Sequence, residues 1–122
     1  MANEEMVRKT WELVKEFENN WNQEWFITGE DKMSVKRLRE NANICETSMC
    51  FAGFAILASG GSVEGGQFRS ANGEAVEPDS YAQTQLGLTF AESDEIFYES
   101  AEVTDLDEMR KIVETVTGVN LS

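Results

Sequence analysis

The chain contains no histidine, one proline and two cysteines, and its basic residues number ten against twenty-three acidic ones. Without histidine there is no Ser-His or Cys-His nucleophile pair and no histidine ligand for zinc. A single proline, Pro78, leaves long stretches free to run without a break, and the Gly, Ser and Asn signals gather in one region, between Ser59 and Asp79. The longest apolar run, Met49 to Ala58, falls well short of the roughly 18 residues that span a bilayer, so membrane insertion is not expected. The N-terminus starts Met-Ala-Asn-Glu-Glu-Met, acidic where a secretory leader is basic, which favours a soluble cytoplasmic protein.

Cys45 and Cys50 lie five positions apart. On one helix five steps turn the side chain by about 500°, roughly 140° net, so the two thiols would point away from each other. With no second pair to complete a zinc set, they read as small buried hydrophobes in a reducing compartment, and the expectation is no metal and no cofactor.

What the chain has is negative charge. Its formal net charge is −13, with apolar residues at 41% and charged residues at 27%, an ordinary globular balance in a length that suits a single domain, residues 1–122. The charge is uneven: up to Gly61 seven basic residues face ten acidic ones, whereas from Ser62 onward three face thirteen. Between Ser70 and Met109 there are eleven acidic residues and no basic one, so this stretch has no local cation to neutralise it. Such a surface is repelled by nucleic acid and anionic membrane and attracts basic surfaces or cations.

Periodicity points to a mainly α domain. Asn3 caps a first helix expected from about Glu4 to Asn19, with Val7, Thr10, Trp11, Val14, Phe17 and Trp21 at helical spacing. Trp25, Phe26 and Ile27 form a second apolar knot before a turn at Thr28-Gly29, and Ser34 caps a short helix. In it Val35 and Leu38 face inward while Lys36, Arg37 and Arg39 make the one basic patch. Met49 to Ala58 is apolar all round, hence a central buried helix, capped by Thr47 or Ser48 and ended at Gly60. A Gly-rich loop follows, with room for a short hairpin. Ser80 with Gln83 and Thr89 with Glu92 have capping-box spacing, predicting helices over Tyr81 to Leu86, ended by Gly87, and over Phe90 to Tyr98. Thr104 caps a last helix, where Leu106, Met109, Ile112, Val113 and Val116 form one face and Gly118 stops it.

The chemistry-bearing patterns are weak ones. Gly60-Gly-Ser-Val-Glu-Gly-Gly-Gln67 lacks the Gly-Lys-Ser/Thr ending of a phosphate loop and carries Glu64, which opposes phosphate. Asp94, Glu95, Asp105, Asp107 and Glu108 supply the oxygens a hard cation wants, but not the alternating acids, central Gly and distant Glu of a calcium loop. No two carboxylates stand out as a glycosidase pair. Trp11, Trp21 and Trp25 are better placed for packing than for an aromatic ligand pocket.

The segment Cys45-Glu-Thr-Ser-Met-Cys-Phe-Ala-Gly-Phe-Ala55, followed by Ala82-Gln-Thr-Gln-Leu-Gly-Leu-Thr-Phe-Ala-Glu-Ser-Asp-Glu-Ile-Phe97, resembles a loosely defined group of small bacterial and phage proteins. That group carries Cys-Gly-Thr-x-x-Cys-x-Ala-Gly-x-Ala and Leu-Gly-Leu-Thr segments. The resemblance covers under half of the chain and departs at Glu46, where the group has Gly. It implies a helical fold and a phage or mobile-element origin, and supplies no catalytic residue.

The expected function is therefore non-catalytic: an acidic inhibitor of a host defence complex, of anti-CRISPR or anti-restriction type. It would mimic nucleic acid in part and bind a basic protein surface without binding nucleic acid or membrane itself. Glu92, Asp94, Glu95, Glu99, Glu102, Asp105, Asp107 and Glu108 are the candidate contact residues, with Phe97 and Tyr98 as shape-specific contacts. The alternative is a small ligand-binding or divalent-metal-dependent enzyme using the Gly-rich loop and nearby carboxylates.

Overall fold

Eight consecutive residues, Phe51–Ala58, form a helix in which every side chain is buried. A helix with no polar face has to be covered from all directions, and the remaining elements are arranged to do so. The computed structural model describes residues 2–18, 21, 27–28, 48–64, 67–100 and 102–121, with 27–28 and 48–49 described by backbone alone. Among the described residues the order is α1 (Glu4–Glu16), β1 (Ile27–Thr28), β2 (Ser48–Met49), α2 (Phe51–Ala58), β3 (Ser62–Glu64), β4 (Gln67–Arg69), α3 (Pro78–Leu86), α4 (Phe90–Asp94), a π-helical turn (Glu95–Glu99) and α5 (Leu106–Thr117). The fold is mainly α, as the periodicity predicts. No described helix is long and apolar enough to cross a membrane.

Helix α2 touches α1, α3, β2, β4 and the π turn. Helix α1 packs on it and buries Val7, Thr10, Trp11 and Val14, the i, i+3, i+4, i+7 stripe of an amphipathic helix, together with Leu13. Thr10, the polar member, donates its hydroxyl to the Met6 carbonyl at 2.7 Å and so enters the core satisfied. Asn3 caps α1 as expected, its side chain accepting from the Met6 amide at 3.2 Å. The helix ends earlier than Asn19, with Phe17 at its C-cap. Helix α5 buries Met109 and Val113 and is stopped by Gly118 at φ 76°, a left-handed position that costs glycine nothing sterically. Arg8 fastens the chain's two ends, donating to the Asn120 carbonyl at 2.6 Å and pairing with Glu4 at 2.6 Å.

Several helix starts differ from the sequence expectation. Helix α2 begins after Cys50, with no side-chain cap; Ser48 belongs instead to β2, paired antiparallel with β1 in the register Ile27↔Met49 and Thr28↔Ser48. A helix this apolar is held by burial, so it does not depend on a cap. Helix α3 starts at Pro78 rather than Tyr81, and Ser80 and Gln83 form no capping box at its start, where Glu77 is the N-cap. Proline's fixed φ and missing N–H suit the first helical position, and that outweighs the later hydroxyl. Asp105, not Thr104, caps α5, its carboxylate accepting from the Asp107 amide at 2.8 Å. The segment from Phe90 is α-helical only to Asp94 and then widens into the π turn. The wider turn brings the sequence neighbours Ile96 and Phe97 both into the core. The expected basic helix after Ser34, together with Thr47, Gly29, Trp25 and Cys45, lies outside the described residues.

The Gly-rich region is a hairpin, β3 against β4 in the register Ser62↔Arg69, Val63↔Phe68 and Glu64↔Gln67, with Val63 and Phe68 buried against α2. Its junction with α2 is tight. A Cβ on Gly61 would lie 2.4 Å from the Arg69 carbonyl oxygen and 2.8 Å from Ile56 Cγ2. Glycine at 61 is therefore a requirement of backbone approach.

Two substitutions check this packing. Gly61→Ala forces the hairpin off α2 and is expected to cost about 2 kcal/mol or more, and Gly53→Leu overpacks the buried helix by about 1 to 3 kcal/mol. Chemical denaturation of the two variants should show both midpoints lowered; an unchanged midpoint for either would mean that the corresponding contact is absent.

Candidate functional site

The eight candidate acids lie along α4, the π turn, the link to α5 and the first turn of α5, and local structure divides their work. Glu92 closes a complete capping box: its carboxylate accepts from the Thr89 amide at 2.8 Å while its own amide donates to the Thr89 hydroxyl at 3.1 Å. Asp105 is the cap of α5. Asp107 pairs with Arg110 at 2.8 Å and with Lys111 at 3.8 Å. These three carboxylates stabilise helix starts, where the backbone amides and the dipole favour negative charge.

Asp94, Glu95, Glu99, Glu102 and Glu108 form no ion pair among the described residues. All but Asp94 are exposed, and Asp94 is half-buried. Glu95 and Glu108 come together across the gap between the π turn and α5, lining a shallow depression of ≈ 260 Å³ with Lys111, Ile112, Thr115 and Val116. Lys111 and Arg110 stand at the edge of this set, so the cation-free stretch is bordered by two basic residues that α5 contributes from just beyond it.

Of the two aromatic candidates, the structure removes one from the surface. Phe97 is buried in the core, whereas Tyr98 is 48% exposed. The Tyr98 hydroxyl donates to Asp79 Oδ2 at 2.8 Å, tying the π turn to α3. Loss of solvent around the phenol, then the hydrogen bond and negative charge of Asp79, push the Tyr98 pKa up to about 12. Sequence reasoning missed Phe90, which is 77% exposed. Its position at the first residue after the Thr89 cap was the available signal, because apolar spacing alone makes a phenylalanine look like core. An exposed aromatic face can accept a cation on its π surface.

Elsewhere the chemistry is quiet. Cys50 is a free, buried thiol, and burial pushes it up to about 11 against backbone hydrogen bonds that pull it down, which keeps it neutral and unreactive. The Gly60 amide donates to the Leu57 carbonyl at 3.0 Å and the Gly61 amide to the Ile56 carbonyl at 2.9 Å. Those amides serve the α2 terminus and do not form a phosphate cradle. Among the described residues no three His, Cys, Asp or Glu side chains cluster as metal ligands. Of the three tryptophans, Trp11 is in the core and Trp21 packs against it. Comparison with protein-family models, curated proteins and solved structures finds no match.

The buried thiol sets a pH dependence. Because the folded pKa lies above the ordinary value of 9.0, the native state holds its proton where the unfolded chain has lost it, and this contribution to stability falls as pH rises from about 9 through about 11. Thermal melts of the parent and of Cys50→Ala across that range should converge as pH rises; a difference that stays constant would show that the thiol titrates normally. Below pH 8 a disulfide-exchange reagent should label Cys50 only at the rate of unfolding.

Proposed function

We propose that this is a non-catalytic interaction protein whose acidic face, Glu92 to Glu108, binds a basic protein surface, in the manner of a phage-borne inhibitor that competes with nucleic acid for a host defence complex. The observation that carries this reading is the set of exposed carboxylates at Glu95, Glu99, Glu102 and Glu108, which neither cap a helix nor pair with a cation among the described residues. Charge left unpaired on ordered elements repels itself and offers the fold little, so a partner that neutralises it gains the attraction. Glu95, Glu99 and Glu108 sit on secondary structure, and Glu102 on the short link between the π turn and α5, which holds their spacing better than an acidic tail would. DNA carries one charge per roughly 1.7 Å of axis, a density this surface approaches only over a short span. Mimicry would therefore be partial, with Phe90 and Tyr98 supplying contacts to the partner's arginine and lysine side chains.

Glu95→Lys, Glu99→Lys and Glu102→Lys together reverse the charge without removing a cap or an ion pair, so the variant should fold. Bacterial proteins captured by the parent should include nucleic-acid-binding ones that short duplex DNA and added salt both release, and the triple variant should capture them about tenfold less at low salt. Equal capture by the variant, or capture that duplex DNA fails to displace, refutes the proposal.

A further inference from the structure

Two buried side-chain donors among the described residues have no acceptor, Trp11 Nε1 and Arg110 Nε. Both belong to residues lining the same cavity, ≈ 430 Å³, which lies between α1 and the first turns of α5 and is bounded by Lys15, Glu18, Leu106, Asp107 and Leu121. Buried donors are almost always paired, and an orphan is a cost the surrounding packing does not offset. One such group is unremarkable; two in residues that line one cavity mark a place where an acceptor is wanted.

The charges around the cavity say what kind of acceptor fits. The Arg110 Nη2 goes to Asp107 at 2.8 Å, and Glu114 lies 3.8 Å from Nε, close enough to balance charge but too far to accept its hydrogen. Lys15 and Glu18 at the rim carry opposite signs. The guanidinium is thus already neutralised, the rim is balanced, and the net charge of −13 opposes any further anion. What is missing is an oxygen, not a counter-charge. Leu106, Leu121 and the Trp11 ring, which is 3% exposed, supply apolar wall, and the volume is at the small end for ligand cavities.

We infer that this cavity binds a small uncharged molecule with a carbonyl oxygen, an amide or ketone, which accepts from Trp11 Nε1 and Arg110 Nε while its apolar body lies against Leu106 and Leu121. The site is separate from the acidic face and does not depend on it. Both donor atoms are buried, so binding includes a small side-chain rearrangement that opens them to the cavity.

The test is titration of the full, ¹⁵N-labelled chain at pH 6 with acetanilide, N-ethylaniline and benzoate, reading the indole and guanidinium N–H resonances. Acetanilide should move the Trp11 and Arg110 Nε signals together and saturably, in the millimolar range, and N-ethylaniline, which lacks the carbonyl, should bind about tenfold more weakly. Arg110→Lys keeps the charge and removes the Nε donor, so it should weaken acetanilide about fivefold or more with the backbone spectrum otherwise retained. Trp11→Phe identifies the indole signal, and the ligand series stands without it should that variant fail to fold. No saturable shift up to tens of millimolar, equal binding of N-ethylaniline, or indifference to Arg110→Lys each overturns the inference, and preference for benzoate overturns its uncharged character.

Discussion

The need to cover an eight-residue helix that is apolar on every side organises this protein. Phe51–Ala58 contributes no polar face, and so α1, α3, the β3–β4 hairpin and the π turn each take one flank of it. That demand explains features that otherwise look unrelated. Gly61 brings the hairpin backbone to within contact of Ile56, Thr10 enters the core only with its hydroxyl bonded to its own helix, and the π turn widens so that Ile96 and Phe97 both reach inward.

The same demand sorts the charge. With the interior apolar, the acids of the second half are pushed outward, and the helix starts absorb those they can: Glu92 in a capping box, Asp105 as a cap, Asp107 in a pair with Arg110. Each reduces the self-repulsion of a −13 chain by setting a carboxylate against amides or a cation. The carboxylates left over, with the exposed Phe90 and the half-exposed Tyr98, are the proposed contact surface. Structure and interaction thus draw on one pool of acids, and a charge on a cap is a poor choice for probing binding because its loss unfolds a helix start.

The cavity between α1 and α5 follows from packing two amphipathic helices whose faces do not close fully at Trp11 and Arg110. Trp11 is buried for its ring, and its indole N–H accompanies it into the interior. A phenylalanine there would bury similar apolar area without an orphan donor, which is why the unpaired nitrogen, together with that of Arg110, carries information beyond packing.

Much of the helical fold was determined by the sequence alone, because the signals are local. Apolar residues at 3.6-residue spacing mark α1 and α5, unbroken apolarity marks α2, and Asn3, Thr89, Gly87 and Gly118 mark ends through hydrogen bonds and φ values that depend on near neighbours. The exclusion of histidine chemistry and the acidity of the second half were likewise composition. Tertiary structure decided what depends on distant partners. Pro78 rather than Ser80 opens α3, Phe97 goes inside and Phe90 outside, Tyr98 reaches Asp79, and Trp11 meets Arg110 across a cavity. Residues far apart in the chain become neighbours only when α2 is covered, and a one-dimensional pattern carries no record of which uncovered donor or unpaired carboxylate that packing leaves behind.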